Sequence, residues 1–104
     1  MSIQSFSPKD PEEVIVLTVK FDNLLGGAET ITGTPVFTAE RQDGTTEDTS
    51  AMISGTATVQ GGSALQLIAG GTNGATYLIR AKVTTSVGRT LVGGGLLPIK
   101  RGAA

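Results

Sequence analysis

The residue types that carry most protein chemistry are sparse in this chain. Its 104 residues include no histidine and no cysteine. That removes the commonest general base, the commonest metal ligand and every thiolate site together. Carboxylates remain, and Glu12-Glu13 and Glu47-Asp48 are adjacent pairs. Glycosidase-type chemistry needs two carboxyls facing across a substrate, roughly 5–10 Å apart, with one pKa raised by burial. Neighbours in polar loops read instead as solvated charge. Serines are plentiful, but no histidine can activate one, and no spacing places a serine–lysine pair. Asp22, Asn23 and Asp43 offer oxygens to calcium without the D-x-[DN]-x-[DN]-G loop that would array them. The pairs Gly26-Gly27, Gly61-Gly62 and Gly70-Gly71 lack the strand-before, helix-after setting of a phosphate loop and read as turns. No catalytic residue, no cofactor and no metal are expected, and the chain reads as a non-enzyme.

The elements that would position any site are strands. Glycine numbers 15, with one tyrosine, three phenylalanines and no tryptophan. Threonine and valine, which suit a pleated half-buried surface, are abundant. In "VIVLTVKF", Val14 to Phe21, Ile15, Leu17, Val19 and Phe21 share one face, and Val16, Thr18 and Lys20 the other. "DNLLGGAET" reads as a loop with Leu24 and Leu25 tucked under the sheet. A second strand is centred on Val36–Ala39, with Pro35 marking its entrance or a sheet edge. Asp43-Gly44 is a turn, and Glu47-Asp48 lies in a solvated loop. Short strands follow at Ala51–Ser54, Ala57–Gln60 and Ser63–Ala69.

The last quarter of the chain is a long hairpin. Tyr77, Ile79, Ala81 and Val83 alternate with Leu78, Arg80, Lys82 and Thr84. The chain turns at "TSVGRT" and returns over Thr90–Lys100. Tyr77 is expected to pack inward with its hydroxyl bonded back to a loop. Gly93-Gly94-Gly95 lies inside the returning strand. It reads as a bulge at a sheet edge or as a smooth patch for a neighbouring subunit. Val16 and Leu78, on nominally outward sides, hint at burial against a partner. About seven strands in roughly 100 residues predict an all-β fold, an immunoglobulin-like antiparallel β-sandwich. The division is an extended N-terminal arm over 1–12, where Pro8 and Pro11 disfavour a helix, a sandwich domain over 13–101 and a flexible tail over 102–104.

Eight basic against nine acidic residues leave a formal charge of −1, too little positive field to hold a phosphate backbone. Nucleic acid is not an expected partner. No basic leader precedes an apolar run, so no secretory signal is expected. No apolar stretch reaches the ~18–20 residues of a membrane span.

Two stretches carry a family resemblance. "KDPEEVIVLTVKFDNLL", Lys9 to Leu25, resembles the opening of the phage fibre–tail adaptors through Lys9, Asp10, Pro11, Glu13 and Val14, with Thr30 and Ile31 matching the end of that segment. The family's late hairpin is similar at Tyr77, Val83, Thr84, Thr85, Gly88, Arg89 and Thr90. The chain departs from it in having Phe21 and Leu24 where tryptophans are common, and "LVGGG" after Thr90 in place of a charged run. The resemblance implies a structural virion protein that joins phage tail or neck to tail fibres or spikes. An immunoglobulin-like capsid decoration protein is the alternative. It further implies other virion proteins of tail, neck or fibre as partners, several copies together, no membrane, and residence in the virion after a soluble stage in the host cytoplasm. Phe6, Pro8, Lys9 and Pro11 in the arm, with Arg89 and Gly94, are the candidate partner contacts. Gly88 and Arg89 make the turn, and Arg89 is either an intramolecular ion-pair partner or a contact to the next subunit.

Overall fold

The computed structural model of the chain describes residues 4–42 and 44–102, apart from the side chains at positions 4, 5 and 23. Asp43 and the Asn23 side chain, considered above as calcium ligands, therefore lie outside the described residues, as do positions 1–3 of the arm and 103–104 of the tail. Seven strands run in chain order: β1 Gln4–Ser5, β2 Ile15–Lys20, β3 Ile31–Arg41, β4 Ile53–Gln60, β5 Ser63–Ile68, β6 Thr76–Thr85 and β7 Thr90–Pro98. Short 3₁₀ turns at Asp22–Leu24 and Ser50–Met52 are the helical elements among the described residues.

The strands form two sheets, ordered β1-β7-β6-β3 and β2-β5-β4. Grouping the second, fifth and fourth strands against the third, sixth and seventh is the division between B-E-D and C-F-G strands in immunoglobulin-type sandwiches. All pairings are antiparallel except β1, which lies parallel to β7 with Gln4 opposite Gly95 and Ser5 opposite Leu96.

Period-two patterning explains the core. Leu17 and Val19 of β2, and Phe21 just beyond it, are buried, whereas Val16, Thr18 and Lys20 are exposed. Tyr77, Ile79, Ala81 and Val83 of β6 meet them from the other sheet with Phe37, Leu97 and Ile99. Fully burying one such large aliphatic or aromatic side chain is worth about 1.5–3 kcal/mol, so the register of each strand is fixed by which residues it turns inward. A slip by one residue would expose the whole row.

Four local expectations are corrected. The two short strands expected at 51–54 and 57–60 are one strand, β4, whose register against β5 shifts between Ser54 and Thr58. Gly55 supplies the left-handed backbone there (φ 71°), and the buried Gln66 amide donates to Ser54 O at 2.6 Å and Gly55 O at 3.3 Å. A periodicity search sees the interruption but not the side chain that repairs it. Similarly, β3 begins at Ile31, so Pro35 is not its entrance; of the two readings the sheet edge holds, and Pro35 sits there in a register shift between Thr32 and Val36. Leu25 packs against the core as expected, but Leu24 is 50% exposed. Finally, Gly93–Gly95 is not a bulge: β6 and β7 stay in continuous register from Thr76–Pro98 to Thr84–Thr90, and on the far side β1 pairs with Gly95 and Leu96. A Cβ on Gly94 would stand 2.0 Å from Ile79 O of β6, and one on Gly93 would stand 3.1 Å from Val19. The glycines allow a close approach of β7 to its own neighbours.

Candidate interaction surface

The N-terminal segment closes one flank of the sandwich. Phe6 N donates to Leu96 O at 2.9 Å and Lys9 N to Pro98 O at 3.0 Å, while Lys100 N donates back to Lys9 O at 2.8 Å. Phe6 is half-buried against the core, Pro8 exposed and Pro11 half-buried. Lys9 is fully buried, its ammonium donating to Gly70 O at 2.7 Å and Asp10 O at 2.9 Å. Burial pulls the Lys9 pKa below the ordinary lysine range, against the opposing pull of Glu13 and Asp10. The turn that carries the chain on to β2 is made by Asp10, whose carboxylate accepts from Glu12 N and Gly102 N. Those two N–H bonds, that of Gly102 first, hold its pKa down.

The same end of the molecule is tied at Tyr77. Its ring is fully buried, and its hydroxyl donates to Glu47 Oε1 at 2.8 Å while accepting from Thr72 N at 3.0 Å. This matches the expected bond back to a loop. Arg41 Nη1 pairs with the same carboxylate at 2.9 Å. The Tyr77 hydroxyl is the main reason that the Glu47 pKa lies below the usual carboxylate range. The loop between β3 and β4 is therefore anchored at Glu47, and Asp48 just beyond it accepts from Ser50 N and Oγ.

The opposite end is closed by Arg89. Of the two roles open to it, the structure shows the intramolecular ion pair, with Nε donating to Glu29 Oε2 at 2.9 Å and Nη2 to Glu29 Oε1 and Leu24 O. This fork holds the Glu29 pKa down to about 2. The six candidate contacts thus do not form one site. Four lie in the N-terminal segment, Gly94 is in mid-β7, and Arg89 is at the far turn of the β6–β7 hairpin.

Two features were missed by sequence reasoning. The outer face of β2-β5-β4 is nearly free of charge: Val16, Thr56, Thr58, Leu65 and Leu67 line a groove of about 280 Å³, with Val16 opposite Leu67 in register. Lys20 is the charged side chain on that face among β2, β4 and β5. The other outer face carries Glu40, Arg80 and Lys82. Charge depletion over a partly apolar face is the compositional mark of an interface centre. Val16 signalled it, but Leu65 and Leu67 could not be assigned outward until Gln66 was found buried.

The second feature is a cleft of about 510 Å³ lined by Phe37, Thr38, Ala39, Glu47, Asp48, Thr49, Ser50 and Ile53. It lies along β3, an edge strand, and β4 is the edge of the other sheet. Its sequence signal is the adjacent acidic pair Glu47-Asp48. Among the described residues, no three His, Cys, Asp or Glu side chains are grouped to hold a metal ion, and no helix is long and apolar enough to cross a membrane.

The model of a family described as "Podophage GP4 fiber-tail adaptor protein gp77" matches residues 9–97. No curated protein and no solved structure matches the chain.

Proposed function

This chain belongs to the podophage fibre–tail adaptor family, and on that premise we propose that it is a structural, non-enzymatic joint between the phage tail or neck and its fibres or spikes. The observation that carries the reading is the family match from Lys9 to Leu97, which takes in both the buried lysine of the N-terminal segment and the whole late hairpin. The architecture supports it in physical terms. A joint that transmits load needs fixed ends, and here Tyr77–Glu47–Arg41 cross-links one end and Arg89–Glu29 the other. It also needs contact area, which the charge-poor face of β2-β5-β4 supplies.

The proposal extends to several copies per particle, to neighbours drawn from tail, neck and fibre proteins, and to residues 1–12 as one region that meets them. Nucleic acid and membrane are not among the proposed partners. The test is mass spectrometry of purified virions, paired with electron microscopy of particles labelled by antibody against this chain. Label at the tail or neck is the expected result. Label over the capsid would transfer the reading to decoration, and absence from particles would overturn it.

A further inference from the structure

The two flanks of the sandwich are not equivalent, and the open one is built to take a strand. In an antiparallel ladder, opposed residues alternate between those that exchange hydrogen bonds and those whose N–H and C=O point away. Gln42 N donates to Thr76 O at 2.9 Å, so 42, 40, 38 and 36 face β6. The backbone groups of Phe37 and Ala39 therefore face outward along the edge of β3. Thr49 Oγ1 donates to Ala39 O, which confirms this phase and shows a polar donor already using the edge. Beside Phe37 and Ala39 the edge borders the cleft.

The cleft has an apolar floor and an acidic wall. Phe37 is buried and Ile53 is packed against the core, which gives a greasy surface for the stem of a long side chain. Asp48 is exposed at the mouth. Ser50 holds its carboxylate ionised, with the hydroxyl contributing most, and Glu47 stands next to it. The volume of about 510 Å³ is within the range of roughly 300–1,000 Å³ usual for sites that enclose a ligand.

We propose that this cleft is a docking site for an extended, basic segment of another protein, which adds alongside Phe37–Ala39 of β3 and places a lysine or arginine side chain over Phe37 and Ile53 with its charge at Asp48. Backbone hydrogen bonds to the edge give such a mode its affinity, and the side-chain slot gives it selectivity. The N-terminal segment of a second copy fits poorly as the occupant. That segment is engaged on β7 of its own chain, and its one basic residue, Lys9, is buried there. The inference rests on the adaptor reading for its biological setting but not for its chemistry.

The experiment uses the full chain, isotope-labelled, titrated with an acetylated and amidated octapeptide of alternating valine and lysine. The same peptide with glutamate for lysine is the control. Amide shifts confined to residues 36–41 and 47–53 with the lysine peptide are expected. They should weaken roughly threefold in Asp48→Asn, as for a solvent-exposed ion pair, and should fade with added salt. Ala39→Pro removes an outward N–H while leaving the β6 ladder whole, a position where an edge tolerates proline; it should abolish binding while the thermal melt stays cooperative. Equal binding of the glutamate peptide, shifts centred on another face, concentration-dependent self-association through these residues, or no binding at millimolar peptide would each overturn the inference. A chain that labels the tail but fails this titration would lose the docking site and keep the adaptor role.

Discussion

The flank carrying β7 and the flank carrying β3 begin from the same problem and solve it differently. Both end a sheet whose last strand has backbone groups with nowhere inside the sheet to bond. On the β7 side the chain's own N-terminal segment runs parallel to the strand, and Lys9 reaches in to Gly70 O. On the β3 side a loop meets the strand through Thr49 and through the Arg41–Glu47 pair, and a cleft stays open between them. The first flank is spent on stability. The second is left open for binding, and the difference teaches that the two halves of one sandwich need not share a purpose.

The largest effect that could break the comparison lies on the closed flank. Gly94→Ala puts a Cβ 2.0 Å from Ile79 O, a clash with backbone that side-chain rotation does not relieve. A loss of about 1–3 kcal/mol or more is expected in urea unfolding. A substitution on the open flank such as Val36→Thr, at an exposed position, should stay within about 0.5 kcal/mol.

Next is Lys9→Ala, which leaves Gly70 O without its buried ammonium donor and empties a filled site. A cost of about 1–3 kcal/mol is expected, with faster proteolysis ahead of Pro11. Unchanged melting and cleavage would mean that the segment adds nothing to the closed flank. The sign of the pH dependence is separable. Because the folded-state pKa of Lys9 is depressed, its burial opposes folding while the group is charged in both states. Stability should recover as pH rises through the folded pKa toward the ordinary 10.5, and Lys9→Met should flatten that rise.

Glu47→Gln sharpens the other side. It weakens the bonds from Tyr77 and Arg41 that anchor the cleft wall. About 1 kcal/mol should be lost, with hydrogen exchange accelerating first in residues 44–50. A loop that stays protected would show that Thr49 alone holds it.

The smallest expected effect concerns acid. Glu29 is held near 2 by Arg89 against an ordinary value of 4.5. Its contribution to stability is complete above about pH 4.5 and is lost as pH falls toward 2. Glu29→Gln should lower the melting temperature modestly at pH 7 and leave it nearly unchanged near pH 2, so that the drop over that window shrinks.

Much of the fold was legible because burial imposes a period on each strand. Tyr77 to Val83 and Ile15 to Phe21 declared both sheets, and Tyr77 declared its own loop contact. What escaped was local repair. Nothing in "SGTA" shows that Gln66, eleven positions beyond Gly55, supplies the missing donors to one continuous β4. Pro35 signalled the sheet edge that β3 forms, but not that the strand begins four residues earlier and shifts register around it. The docking surfaces were the least legible. An outward face on β5 can be assigned only after its inward face is known, and a cleft between two edge strands belongs to neither strand's sequence. The acidic pair Glu47-Asp48 was visible, but as charge in a loop rather than as one wall of a slot.

The kink in β3 has a consequence for how the molecule survives among its own kind. At 11 residues β3 is the longest strand, and an uninterrupted edge of that length invites sister copies to stack into fibrils. Gly33, with φ of 70°, and Pro35 break it between Thr32 and Val36. The intact run that remains is only long enough for a short guest. Wherever copies of the chain meet at high concentration, this irregularity works against their pairing edge to edge.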